Sequence, residues 1–99
     1  ARAGVTGAEV DNACRSIIDN AGYKEYFNHS TGHGIGLEVH TLPRLSSINT
    51  SPLLENYVVT IEPGIYLPNW GGVRIEDDCW IKSNKCVPMN RSSKELISL

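Results

Sequence analysis

All three histidines of this chain fall within the twelve residues His29-Ser-Thr-Gly-His33-Gly-Ile-Gly-Leu-Glu-Val-His40. A single histidine is usually a satisfied structural group. Three beside Gly32, Gly34 and Gly36 point to a site that needs imidazoles and close backbone approach. Two carboxylates further on stand where strands are expected: Glu62 ends the apolar run Val58-Val59-Thr60-Ile61, and Glu76 lies inside the alternating stretch Val73 to Ile81. A carboxylate in an apolar setting is costly unless it is paired or bound to a cation. Taken singly, Glu62 reads as a solvated strand end, and Glu76 as part of a wet strand face paired with Arg74. Taken with the histidines, His33, Glu62 and Glu76 make an oxygen-rich, thiolate-poor donor set. Such a set suits manganese, cobalt or another divalent first-row ion better than a structural zinc. Arg74 would then orient the Glu76 carboxylate from behind.

The elements that must position these groups are one helix and several strands. Thr6-Gly-Ala-Glu9 has the spacing of a capping box, and Val10, Ala13, Cys14, Ile17, Ile18 and Ala21 then share a helical face. The pattern predicts a helix from Ala8 to Ala21, stopped by Gly22, with its apolar stripe as a packing face and Asp11 and Arg15 as an i,i+4 surface pair. A short helical stub, Lys24 to Phe27, leads into the histidine segment, where the glycines oppose a helix and an irregular extended run is expected. His29 and His33 share parity on an extended chain; His40 has the other and needs a bend or bulge to join them. Pro43 to Asn56 reads as a surface loop. Tyr57 to Glu62 is a strand ended by Pro63-Gly64, Ile65 to Leu67 a short strand, and Val73 to Ile81 one alternating strand that turns at Ser83-Asn84 back through Cys86-Val87. Tyr66 and Trp70 are candidates to line a substrate pocket, with ordinary packing the favoured reading of both. One helix followed by antiparallel strands is an α+β class.

The remaining composition excludes more than it suggests. The 99 residues suffice for one core, and a net charge of -2 with scattered Lys and Arg offers nothing to nucleic acid or an anionic membrane. No apolar run approaches a membrane span. Cys14, Cys79 and Cys86 form no C-x-x-C pair and read as reduced thiols of a cytoplasmic protein. Gly32-His-Gly-Ile-Gly36 lacks the third glycine of a dinucleotide-binding loop, and there is no P-loop or G-x-S-x-G. The chain opens on Ala1 rather than Met, as a piece of a longer protein or a processed product would.

His29-Ser-Thr-Gly-His33-Gly-Ile-Gly-Leu-Glu-Val-His40, then Thr60-Ile-Glu62-Pro-Gly-Ile-Tyr66, then Gly72-Val-Arg-Ile-Glu76-Asp-Asp78 together resemble the metallopeptidases of the pita-bread fold. That family includes aminopeptidase P, prolidase and methionine aminopeptidase, and the Gly-Val-Arg-Ile-Glu-Asp segment favours its proline-specific branch. The resemblance implies the C-terminal half of a pita-bread fold, with residues 1–99 forming the carboxyl-terminal portion of a single catalytic domain. It implies hydrolysis of the peptide bond preceding proline, by an Xaa-Pro aminopeptidase or dipeptidase, with two divalent metal ions: manganese first, cobalt or zinc as alternatives. His33, Glu62 and Glu76 correspond to metal ligands, Glu62 also to a proton shuttle, and Glu76 to the carboxylate that bridges both metals. His29 and His40 correspond to histidines that flank the substrate and stabilise the tetrahedral intermediate, and Arg74 to an arginine behind the ligands. Two aspartate ligands of the family lie upstream of the predicted helix, so the partners implied are a proline-containing peptide and a missing N-terminal half. Without that half the fragment is expected to be inactive. The oligomeric state is left open, a homo-oligomer included. Thr41 departs from the family, which often has an acidic residue after the last histidine. Pita-bread domains also occur as non-catalytic peptide- or protein-binding modules; retention of His33, Glu62 and Glu76 weighs toward the enzyme.

Overall fold

Thr6 and Glu9 close the capping box that their spacing predicts. The Thr6 hydroxyl accepts from the Glu9 amide, while the Glu9 carboxylate accepts from the Thr6 amide, so two otherwise orphaned amides at the helix start are satisfied. Helix α1 runs from it over Gly7–Asn20, one residue earlier at each end than expected, and Gly22 at φ +89° turns the chain away. The structure, a computed structural model, describes all of residues 1–99. The stripe of α1 is only partly a packing face: Val10 is buried, but Ile17 is 72% exposed. Asp11 overturns the expectation of a surface pair. It is 1% exposed, and its ion pair with Arg15 at 2.8 Å runs from this buried carboxylate to a guanidinium that is 29% exposed.

After a single 3-10 turn, Lys24–Tyr26, come seven strands: β1 (Gly32–Gly34), β2 (Thr41–Leu45), β3 (Val58–Ile61), β4 (Gly64–Leu67), β5 (Gly71–Arg74), β6 (Asp77–Ile81) and β7 (Cys86–Pro88). Five of them form an antiparallel sheet in the order β2-β1-β3-β6-β7, and β4 and β5 form a separate hairpin. The core is small. Val10 of α1 packs with Leu45, Leu53, Val59, Cys79 and Ile81, so one turn of helix and the middle of β3 and β6 hold the sheet together by apolar burial.

Two stretches depart from the sequence reading. Thr41–Leu45, the last three residues of which were expected in a loop, is a strand. It lies at the sheet edge, where Pro43 removes no ladder hydrogen bond that matters, and it delivers Leu45 to the core. Val73 to Ile81 is two strands rather than one, and they belong to different sheets. The cause lies on the partner chain segment. Ile61 stands opposite Asp77 in one ladder and Gly64 opposite Arg74 in the other, so counting inward puts Glu62 across from Glu76 and Pro63 across from Ile75. Pro63 has no N–H to give the ladder. Only the Ile75 amide bond to the Pro63 carbonyl, at 3.3 Å, spans the gap, and regular strand structure stops at 62–63 and at 75–76. The break frees Glu62 and Glu76 from regular pairing at the same level of the fold.

Candidate metal centre

His33 sits at the centre of β1, and the glycines on either side explain its placement. A Cβ on Gly32 would collide with the Thr60 carbonyl, and one on Gly34 with the Leu42 carbonyl, so only glycine lets β1 lie this close to β3 and β2. The His33 amide donates to the Thr60 hydroxyl at 3.1 Å, and that hydroxyl donates in turn to Glu62 Oε1 at 2.8 Å. The Glu62 amide donates to the Thr31 carbonyl at 2.7 Å. Backbone and side chain of Glu62 are thus tied to the histidine segment from two sides. His33 Nε2 lies 3.0 Å from Glu62 Oε1, with the two side chains 17% and 14% exposed.

The tautomer at this contact decides what it can do. His33 Nδ1 lies 2.7 Å from the Gly34 carbonyl oxygen, which can only accept, so Nδ1 carries a proton. In the neutral ring Nε2 is then a bare lone pair, facing a carboxylate oxygen that already accepts from Thr60. Two acceptors at that distance repel, and the contact becomes favourable only with a proton or a cation between them. A metal ligand histidine is held in this way, with its other ring nitrogen donating to a carbonyl. His33 and Glu62 therefore fit a divalent cation by both donor chemistry and orientation.

Arg74, at the end of β5, lies between the two glutamates: its Nε is 3.7 Å from Glu62 Oε2 and 3.5 Å from Glu76 Oε2. Its guanidinium is held above the ordinary arginine range, first by the Tyr66 side chain within hydrogen-bond reach and then by the charges of Glu62 and Glu76. Tyr66 continues the chain of contacts. Its hydroxyl lies 2.8 Å from His29 Nε2, while His29 Nδ1 donates to the Ser30 carbonyl at 2.8 Å. The Tyr66 hydroxyl donates to His29, because Nε2 is the unprotonated nitrogen of that ring. His40 comes back to the group despite its opposite parity: its ring meets the His33 ring edge-on, 4.9 Å between centroids. The irregular register between His33 and Gly34 supplies the bend.

All six residues singled out from the sequence thus join one network, with two additions. Thr60 was read as an ordinary strand residue and Tyr66 mainly as packing. A hydroxyl inside an otherwise apolar strand was the available signal for Thr60; Tyr66 stood out only as a pocket-lining candidate, because its partners come from distant segments. Trp70, by contrast, is 82% exposed. Convergence is incomplete in one respect. No three His, Cys, Asp or Glu side chains come together at metal-ligand spacing, since Glu76, 40% exposed, stands on the far side of Arg74.

Comparison with known proteins gives the chain its family and fold. The model of metallopeptidase family M24 matches residues 1–83. An Xaa-Pro dipeptidase of Pyrococcus horikoshii is 52% identical over 97 residues, covering 98% of this chain and 28% of its own. The solved structure of an Xaa-Pro dipeptidase from Bacillus anthracis superposes with a TM-score of 0.97 at 50% identity, covering 100% of this chain and 28% of that one. The helix and strands are therefore part of the pita-bread fold of such enzymes. A more distant structure, an X-prolyl aminopeptidase from Caenorhabditis elegans described as a cytosolic enzyme with a di-nuclear active site, superposes with a TM-score of 0.67 at 34% identity over 81% of this chain and 13% of its own. The chain spans about a quarter of the length of the curated relatives it matches.

Proposed function

This chain belongs to metallopeptidase family M24, and on that footing we propose that residues 1–99 are the carboxyl-terminal portion of a catalytic domain that hydrolyses the peptide bond preceding proline. The observation that carries this reading is the contact of His33 Nε2 with Glu62 Oε1, the ring's other nitrogen being committed to a carbonyl. His33, Glu62 and Glu76 are the ligands this chain would contribute to a dinuclear centre, completed by two carboxylates from an upstream half. Manganese is the ion favoured by so oxygen-rich a set, with cobalt or zinc as alternatives. Divalent cations bound there would supply Lewis acidity, polarising the scissile carbonyl and making water acidic enough to attack at neutral pH.

The chain's own residues do the rest. Glu62 takes a proton from the attacking water and passes it to the proline nitrogen as that nitrogen leaves. Thr60 steers the Glu62 carboxylate by donating to Oε1. Arg74 neutralises the repulsion between Glu62 and Glu76 until the cations arrive. His40, whose ring nitrogens make no hydrogen bond to the protein, is the donor available to the developing oxyanion. His29 has Nε2 engaged by Tyr66, and it flanks the substrate rather than donating to the oxyanion.

The test is turnover by the complete polypeptide, loaded with manganese, of an Xaa-Pro dipeptide, an Xaa-Pro tripeptide and their Xaa-Ala counterparts. Cleavage confined to the proline substrates supports the proposal, and the preferred length separates dipeptidase from aminopeptidase. Peptide binding with no cleavage of any of the four would instead identify a non-catalytic binding module.

A further inference from the structure

Helix α1 reaches the site through an ion pair between the buried Asp11 and the partly exposed Arg15. Asp11 and Arg15 bind through two contacts, Nε to Oδ2 at 2.8 Å and Nη2 to Oδ1 at 3.1 Å. The same guanidinium donates to the carbonyls of Phe27 and His29, both at 2.9 Å. Asp11 Oδ1 also accepts from the Thr31 amide at 3.0 Å. The pair therefore grips the chain at positions 27, 29 and 31, on both sides of the His29 side chain. Phe27, 3% exposed, lies between them: the Arg15 guanidinium stacks over its ring at 4.2 Å, and its edge meets the His29 ring at 5.1 Å. Five donors in a rigid plane suit arginine to this task, and a lysine ammonium cannot span the same acceptors.

We propose that Arg15, oriented by Asp11, is a positioning residue for His29, holding the imidazole with Nδ1 on the Ser30 carbonyl and Nε2 open to the Tyr66 hydroxyl. The catalytic consequence rests on the reading of His29 as a residue that flanks the substrate. The positional consequence does not. Free imidazoles prefer neither neutral form strongly, so a ring held wholly as the Nδ1–H tautomer is a signature of the backbone geometry that Arg15 enforces.

The experiment uses the complete enzyme, with 15N-labelled histidine read by NMR and kinetics measured on an Xaa-Pro substrate. Arg15→Lys is expected to turn His29 from a single Nδ1–H tautomer into a mixture and to lower kcat about tenfold or more, with KM changed by less than about twofold. Val10→Ala, a core truncation one residue from Asp11, is the comparator: it should lose stability but keep the tautomer and kcat of wild type. Asp11→Asn loosens the same grip more gently, and it decides the matter through the same two readouts if Arg15→Lys does not fold. A wild-type tautomer in the folded Arg15 or Asp11 variant would overturn the proposal, as would a Val10→Ala protein that reproduces both changes. His29→Ala separates the two readings. Activity within about tenfold of wild type there would remove the role of His29 in catalysis, while the tautomer comparison would still report on the grip.

Discussion

Glu62 and Glu76 stand across from each other at the break in one antiparallel ladder, with the Arg74 guanidinium between their carboxylates. Like charges directly opposite on a sheet are destabilising. The ladder is interrupted at this point by Pro63, so neither glutamate is held in regular pairing. A cation is the natural third member of such a pair. Arg74 fills that electrostatic role from the protein itself.

Arg74→Ala is therefore expected to weaken manganese binding or activity of the complete enzyme by about 10–100-fold. Stability should change little, since the side chain is half exposed. Calorimetric metal titration alongside chemical denaturation checks both parts. A variant that binds manganese as wild type does would mean that Arg74 does not organise the two carboxylates.

Gly34→Ala should destabilise the fold by about 1–3 kcal/mol, because the added methyl meets the Leu42 carbonyl, a backbone atom that cannot swing aside. The same change should disturb His33, whose Nδ1 depends on the Gly34 carbonyl. Urea denaturation measures the first effect. A stability equal to wild type would show that β1 and β2 have slack at this crossing.

Asp11 gives the pH dependence. Burial pushes its carboxyl upward, but the hydrogen bonds from Arg15 and Thr31 together outweigh burial and hold it below its ordinary 3.8. The folded state thus prefers the ionised form more than the unfolded chain does. That stabilisation is fully present above the ordinary value and is lost as pH falls through the lower folded value. Asp11→Ala is expected to cost toward the low end of about 3–5 kcal/mol at neutral pH, since Arg15 keeps some access to water. The difference from wild type should shrink as the pH is lowered below about 4. Denaturation curves at several pH values test this; a penalty that stays constant down to the acid transition would contradict it.

Much of this architecture was legible in the residues because it is local. Thr6 and Glu9 announce the start of α1, Gly22 its end, and the run before Glu62 its strand. The three histidines and two glutamates could be nominated by type and spacing, and the family motifs assigned them roles. What escaped was set by distant segments. Asp11 read as a surface charge because its partner amide belongs to Thr31, twenty residues away. Val73 to Ile81 read as one strand because the interrupting proline sits on the opposite side of the ladder. Tyr66 read as packing because its partners, His29 and Arg74, meet it only after the β4–β5 hairpin folds back.

The central claim is that His33 and Glu62 share a cation. Manganese titration of the complete protein by calorimetry, compared with His33→Ala and Glu62→Ala, tests it most directly. Each substitution should reduce the affinity of at least one site by about a hundredfold or more and remove the thermal stabilisation that manganese confers. Tight, unaltered binding in both variants would contradict the account.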